Sequence, residues 1–319
     1  MYSTLKKNSK ITLVALIVSI VIYYVMWHYI PTESISKIKT TELGYALLAS
    51  LAVYIVRSVR IKALYPHIQW SAIYLAVATQ TFLLRVLPMR LGELGLAVLL
   101  QKRGAVPIGQ GMVLLLWLRL SEICVLLIAC LLAWFYMHQQ ISWTLVLYSI
   151  IAIIMCDLAL PGIQWMCRQI KQWLIVYPHV NQNRYGRALI HVCTSIEQAH
   201  GLSHRTWMTL MFYSALIMFL QCALFLYIIR ACGGDIAWPA LVIASSCAHV
   251  AGAIPAPTIG NVGTHESAWV LGFTWMGLPF SIATLSALVS QGFTLACAGL
   301  WFAICSLFIA MYSPSRHID

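Results

Sequence analysis

The sequence predicts an all-α polytopic membrane protein with about eight membrane segments, including two re-entrant helical hairpins set in inverted-topology repeats. Three observations predict it. Of the 319 residues 61% are hydrophobic and only 9% charged, against roughly 25% charged in soluble domains, so the chain has too little polar surface to stay dissolved. Apolar runs recur at 11–30, 43–59, 70–87, 111–137, 141–160, 207–229, 238–254 and 278–312, most of them near the roughly 20 residues that a spanning helix needs. Two shorter apolar stretches, 91–100 and 259–275, are broken by glycine or proline, so neither is expected to span alone.

Taken in order, the run 11–30 follows Lys6, Lys7 and Lys10, a signal-like start. The bulky Trp27-His28-Tyr29-Ile30-Pro31 offers no small-residue cleavage site, so it is expected to be a retained first helix. Orientation decides how the short stretches behave. If 70–87 and 91–100 form a hairpin from the cytoplasmic side, and 238–254 and 259–275 a second hairpin from the outside, the basic loops sort by the positive-inside rule. Fourteen Lys and Arg then lie inside: Lys6, Lys7, Lys10, Arg57, Arg60, Lys62, Lys102, Arg103, Arg168, Lys171, Arg184, Arg187, Arg205 and Arg316. Lys37, Lys39 and Arg230 lie outside, while Arg85, Arg90 and Arg119 remain at membrane depth. Both termini are expected in the cytoplasm.

The unit 43–137 then reads helix, hairpin, helix, and so does 207–312, starting on the opposite face. Inverted repeats with broken helices recur in transporters, with the site near the midplane between them. The stretch 161–206, basic and dotted with Trp165, Trp173 and Tyr177, is expected to form cytoplasmic amphipathic helices in the headgroup layer. The whole of 1–319 reads as one membrane domain.

The net charge of +11 is accounted for by loop basic residues, so no nucleic-acid partner is expected. The ten cysteines contain no C-x-x-C and read as small packing residues. No cofactor or metal is expected, and no G-x-x-x-x-G-K-[ST] nucleotide motif occurs.

Charges at membrane depth cost on the order of 2.5–3.5 kcal/mol each, so they face a cavity or a partner. Of nine acids, Glu93, Glu122, Asp157 and Glu266 fall there, with Asp235 at the margin. The first cluster is Arg85-Val-Leu-Pro88-Met-Arg90-Leu-Gly92-Glu93. Pro88 breaks the helix before it, Gly92 allows close backbone approach, and a new helix starting near Leu91 would aim its free N–H groups at an anion. Arg85 and Arg90 add fork-shaped donors suited to phosphate. A phosphate headgroup cradle and an ion-pair network that fixes the hairpin both fit. Arg119 and Glu122, three apart on one helix, can pair or hold a ligand. The third cluster runs Pro255-Ala-Pro257-Thr-Ile-Gly260-Asn261-Val-Gly263-Thr264-His265-Glu266. The prolines stop one helix, Gly260 and Gly263 free the tip, and a helix begins near Thr264 with Glu266 in its first turn. Glu266 is either a cap, or a coupling or headgroup-ammonium group; His265 titrates near neutrality or simply hydrogen-bonds.

Arg90-Leu-Gly-Glu93, Leu99-Leu100, Arg103-Gly104 and Leu118-Arg119-Leu-Ser-Glu122 resemble the first signature of the lysylphosphatidylglycerol synthase transmembrane-region family, also called flippase-like. Gly260-Asn-Val-Gly263-Thr-His-Glu266-Ser is similar to the second, usually P-G-G-x-G-x-R-E-A. Ile259, Asn261, His265 and Glu122 depart from the commoner Pro, Gly, Arg and Asp. The resemblance implies translocation of a phosphate-containing lipid, or of a polyprenyl-phosphate-linked sugar, across the bacterial inner membrane. It is to the stand-alone form, without the soluble aminoacyl transferase domain. On that reading Arg85, Arg90, Glu93, Arg119, Glu122, Asn261, His265 and Glu266 contact the headgroup. Pro88, Gly92, Pro255, Pro257, Gly260 and Gly263 shape the hairpin tips, and a membrane glycosyltransferase or aminoacyl transferase is the expected partner. No catalytic residue is assigned. An intramembrane enzyme using Glu266 and His265 as acid and base, and a non-transporting partner of a glycosyltransferase, are the alternatives.

Overall fold

The computed structural model describes residues 38–104, 106–139, 143–176, 184–197, 204–253 and 263–312, within which all regular structure is helical. The expected first helix, 11–30, lies outside them, as do Pro255, Pro257, Gly260 and Asn261. We label the helices α1 (Thr40–Leu64), α2 (Trp70–Val86), α3 (Leu94–Gly104), α4 (Ile108–His138), α5 (Trp143–Val176), α6 (Arg184–Glu197), α7 (His204–Ala231), α8 (Trp238–Ala253), α9 (Thr264–Trp275) and α10 (Phe280–Tyr312). A 3₁₀ turn, Pro88–Glu93, joins α2 to α3. Among the described residues, three segments are long and apolar enough to cross a membrane: Ile108–His138, His204–Ala231 and Phe280–Phe308.

Reading the sequence locates most of the helices but misplaces several features. The apolar run 43–59 suggested that Arg57, Arg60 and Lys62 belong to a loop, yet α1 continues through all three. Arg60 is 4% exposed, so its charge is held inside the protein rather than marking a loop. The helix after the first tip begins at Leu94, not near Leu91, because the chain first makes the 3₁₀ turn. Asp235 lies in the α7–α8 connection as an exposed partner of Arg230. The stretch 161–206 does not begin a new element either: α5 runs unbroken from Trp143 through Pro161 to Val176. Proline at 161 removes one backbone N–H, but the helix carries on past it. The amphipathic helix expected in this region is α6, which packs on α4 and α5 and is tied to α5 by Lys171 Nζ–Glu197 Oε2 at 3.0 Å.

Helices in lipid gain little from hydrophobic burial against one another; close packing of small side chains holds them together. The main seam is α1 against α7. Ala46, Ala49, Ser50 and Val53, spaced three or four apart, are buried on α1. The two helices run antiparallel. The Lys39 N–H, at the start of α1, bonds to Ala231 O at the end of α7 at 3.0 Å. Arg60, near the end of α1, reaches Ser214 in the first half of α7.

Many of the other packing pairs fall into matched sets, although α7 also packs on α10 without an equivalent contact of that strength between α1 and α4. α2 and α3 pack as a hairpin, as do α8 and α9. α3 lies on α4, and α9 on α10; α2 crosses to α10, and α8 to α4. α1 touches α2 and α10, while α7 touches α8 and α4. Two buried clusters follow the same division. One is drawn mainly from α1–α4, with Leu210 of α7. The other comes mainly from α7–α10, with Ala46 and Ala49 of α1 and Ala133 of α4.

Candidate functional site

The first tip is set by local sequence. Leu87 is extended, with φ −88° and ψ 139°, as steric conflict with the following Pro88 requires, and α2 ends there. Pro88 opens the 3₁₀ turn, where a missing N–H costs nothing. The turn then folds back onto α2 so tightly that a Cβ on Gly92 would sit 2.3 Å from Leu83 C and Leu84 N. Only glycine fits between those backbones. Glu93 closes the turn one residue before α3.

Glu93 and α4 share charges. Arg119 Nη2 donates to Glu93 Oε1 at 2.8 Å, and Arg119 Nη1 to Glu122 Oε2 at 2.7 Å. Glu122 Oε1 in turn accepts from Arg60 Nη2 at 2.8 Å. Arg60 Nη1 donates to Ser214 Oγ, and Ser214 to Ser121 Oγ, each at 3.0 Å. One chain of charge-assisted bonds thus links α1, the first tip, α4 and α7. Two guanidiniums and two carboxylates neutralise one another within it. The Arg60 side chain is 5% exposed, but Arg119 is 34%, Glu122 29% and Glu93 20% exposed. The chain is therefore anchored in the protein at Arg60 and opens outward at Arg119. Arg119 stands eleven residues into α4, about 17 Å from its start at 1.5 Å per residue, near the middle of a helix long enough to span.

From the other half, Gln291 on α10 is 4% exposed and accepts from Arg85 Nη1 at 2.6 Å. Between the same two helices Phe82 of α2 stacks on Phe302 of α10, ring centres 5.1 Å apart. The second tip ends at Gly263, whose φ of +94° favours glycine. Its N–H donates to Glu266 Oε2 at 2.6 Å, so the carboxylate closes the first turn of α9 as expected of a cap. Glu266 is nonetheless fully buried, and among the described residues its Oε1 has no hydrogen-bond partner; nor has His265 Nδ1. The fields of Arg57, Arg85, Arg119 and Glu122 all reach His249 on α8, and that of Arg85 reaches both His265 and Glu266. Ionisable groups of both hairpins, α1, α4 and α8 therefore converge on one region.

Of the residues expected at the site, Arg85, Glu93, Arg119, Glu122, His265 and Glu266 are brought together there. Asn261 lies outside the described residues. Arg90 falls within the 3₁₀ turn, and its side chain is not among those described. Reading the sequence missed Arg60, Arg57, Ser214 and Gln291. The signal for the first two was present: Arg57 and Arg60 are three apart and continue the buried face of Val53. No three His, Cys, Asp or Glu side chains among the described residues are grouped to hold a metal.

The match to a family model is to the lysylphosphatidylglycerol synthase transmembrane region, over residues 11–301. The chain belongs to the lysylphosphatidylglycerol synthase transmembrane-region family. It is thus a multi-pass membrane protein and a membrane domain of a kind associated with lipid modification. Both motif regions quoted above fall inside the matched span. No curated protein and no solved structure matches it.

Proposed function

We propose that this protein moves a phosphate-containing lipid, or a polyprenyl-phosphate-linked sugar, across the bacterial inner membrane without changing it chemically. The observation that carries the reading is the convergence of buried and half-buried charge, from both hairpins, midway along helices of spanning length. Such groups in a membrane mark substrate pathways. Arg57, Arg85 and Arg119, whose fields all reach His249, supply guanidiniums of the fork geometry suited to phosphate. The partial exposure of Arg119, Glu122 and Glu93 suits a wet opening into which a headgroup fits while its tail stays in lipid.

The segments 43–137 and 207–312 act as two inverted repeats. In support, α1 and α7 run antiparallel, and each packing pair of the first unit has a counterpart in the second. The hairpins are re-entrant, and one unit rocks against the other to expose the site alternately. Basic residues of 161–206, including Arg168, Lys171, Arg187 and Arg205, favour a cytoplasmic placement of that region. A membrane glycosyltransferase or aminoacyl transferase would supply or consume the lipid.

The test uses purified protein in liposomes carrying labelled phospholipid. Wild type should move label across the bilayer with its mass unchanged. Arg85→Ala combined with Glu93→Gln should slow it about tenfold or more, as expected when charge-assisted contacts are lost. Equal rates for the two proteins, or a change in lipid mass, would refute the proposal.

A further inference from the structure

The charge chain has a neighbour that takes no part in it. Arg57 stands one turn before Arg60 on α1. Arg60 gives Nη1 to Ser214 and Nη2 to Glu122, and Arg119 gives its two Nη atoms to Glu122 and Glu93. Arg85 gives Nη1 to Gln291. Arg57 makes no hydrogen bond and no ion pair among the described residues. The carboxylate whose field reaches it is Glu122, and both oxygens of Glu122 are already taken by Arg60 and Arg119. Those two arginines also act on Arg57, and they repel it.

A guanidinium is always charged and carries five N–H donors. Holding one inside a protein without a partner is costly, and in a membrane protein such a charge marks a ligand path. Arg57 is surrounded by protein yet only half-buried, and its unmet nitrogens are not sealed off. It therefore lines a hollow rather than a packed seam.

The side chains around it point to what the hollow takes. Tyr54, Arg57 and Arg60 follow one another at a spacing of three, so they are neighbours along α1. The fields of Arg57 and Arg85 both reach the Tyr54 hydroxyl, which meets that of Thr81 on α2. The Tyr54 ring lies 6.1 Å from that of Trp301 on α10. Trp301 Nε1 is buried and unmet, and so is Arg60 Nε. Unmet groups thus recur along this stretch of α1 and on the α10 side chain beside it, and all of them are N–H donors. Native folds seldom leave such atoms unmet without a reason. A cation or an apolar tail would leave these donors as they are. An anion with several acceptor oxygens answers them, and the planar fork of arginine suits phosphate.

We propose that Arg57 is the residue on which the substrate's phosphate docks, between α1 and α10, whereas Arg60 and Arg119 are spent on holding Glu122. It rests on the phosphate-lipid reading above, and it gives the anion to a residue outside both sequence motifs.

The experiment uses the full chain in detergent. Binding is measured by native mass spectrometry with phosphatidylglycerol, a polyprenyl phosphate and, as the lipid without phosphate, diacylglycerol. The thermal midpoint is read by tryptophan fluorescence without ligand, with each lipid, and with inorganic phosphate alone. Wild type should hold at least one phosphate lipid about tenfold more tightly than diacylglycerol, the effect of charge-assisted bonds to one guanidinium. Arg57→Gln should reduce that preference to within about twofold. It should not lower the ligand-free midpoint, because Arg57 bonds to nothing in the fold. Arg57→Lys keeps the charge but not the fork and should fall between the two. Arg60→Gln should lower the midpoint, since Arg60 ties α1 to α4 and α7. Full preference retained in folded Arg57→Gln overturns the docking residue and leaves the phosphate-lipid reading standing. A midpoint lowered as far by Arg57→Gln as by Arg60→Gln makes Arg57 part of the frame and overturns it too. Inorganic phosphate that stabilises wild type as strongly as the lipids, but not Arg57→Gln, keeps the docking residue and makes the ligand a free anion. No preference of wild type for phosphate lipids over diacylglycerol overturns both readings.

Discussion

The two halves of the molecule place different chemistry on matching helices. In the first, Arg60 near the end of α1 is buried and bonds to Glu122 on α4. In the second, Arg230 near the end of α7 is 44% exposed and bonds to an Asp235 that is 77% exposed. Midway along α4 stand Arg119 and Glu122; at the corresponding depth of α10 stand Ser290 and Gln291. The first half thus gathers ions that neutralise each other. Among its described residues the second contributes neutral hydrogen-bonding groups and a buried carboxylate with one oxygen unmet. Each charge of the chain is expensive to bury alone, so every one is paired, although Arg60 Nε itself has no hydrogen-bond partner among the described residues. The difference teaches that matching helix order does not require matching chemistry: one half can be the rigid electrostatic frame and the other the face that adapts to a ligand.

The comparison is broken most easily at Glu122. Glu122→Ala leaves Arg60 with Ser214 alone and should cost about 3–5 kcal/mol of stability, read as a large drop in thermal midpoint by tryptophan fluorescence in detergent. A drop no larger than that of Gln291→Ala would mean that the two halves carry equal electrostatic weight. Next come the hairpin glycines. Gly92→Ala forces a Cβ into the α2 backbone and should cost about 1–3 kcal/mol. Gly263→Ala strains a positive φ and should cost about 1–2 kcal/mol for that strain; the same midpoint measurement ranks them. Gln291→Ala removes one bond to a charged donor, Arg85, and should cost about 1.5 kcal/mol, less than Glu122→Ala by the same assay. The smallest effect belongs to Arg230→Ala, an exposed pair worth about 0.5 kcal/mol or less. A shift rivalling that of Arg60→Ala would erase the contrast between the two arginines.

Much of the helical layout was legible in the residues because its causes are local. The tip at Pro88 follows from the steric limits of proline and of the residue before it, and the glycine at 92 from the tight return that any hairpin needs. The pairing of Arg119 with Glu122 follows from helical spacing, and the cap at Glu266 from its place in a first turn. Where reading the sequence failed, the cause was long-range. Arg60 looked like a loop charge because hydropathy scores each side chain as if alone. Its burial depends on Glu122, 62 residues away in sequence.

By itself, then, the order of residues determined that this is a helical membrane protein, where most of its helices lie, where the first chain reversal breaks, and which short motifs carry charge. Those properties arise from side-chain polarity and backbone sterics within a few turns. Only the tertiary structure decided that α1 and α7 pack against each other as the main seam, that Arg85 meets Gln291 across the two halves, and that Glu266 is buried with one oxygen unmet among the described residues. These depend on which helix faces dock, and docking sums many weak van der Waals contacts between distant segments that no local pattern encodes.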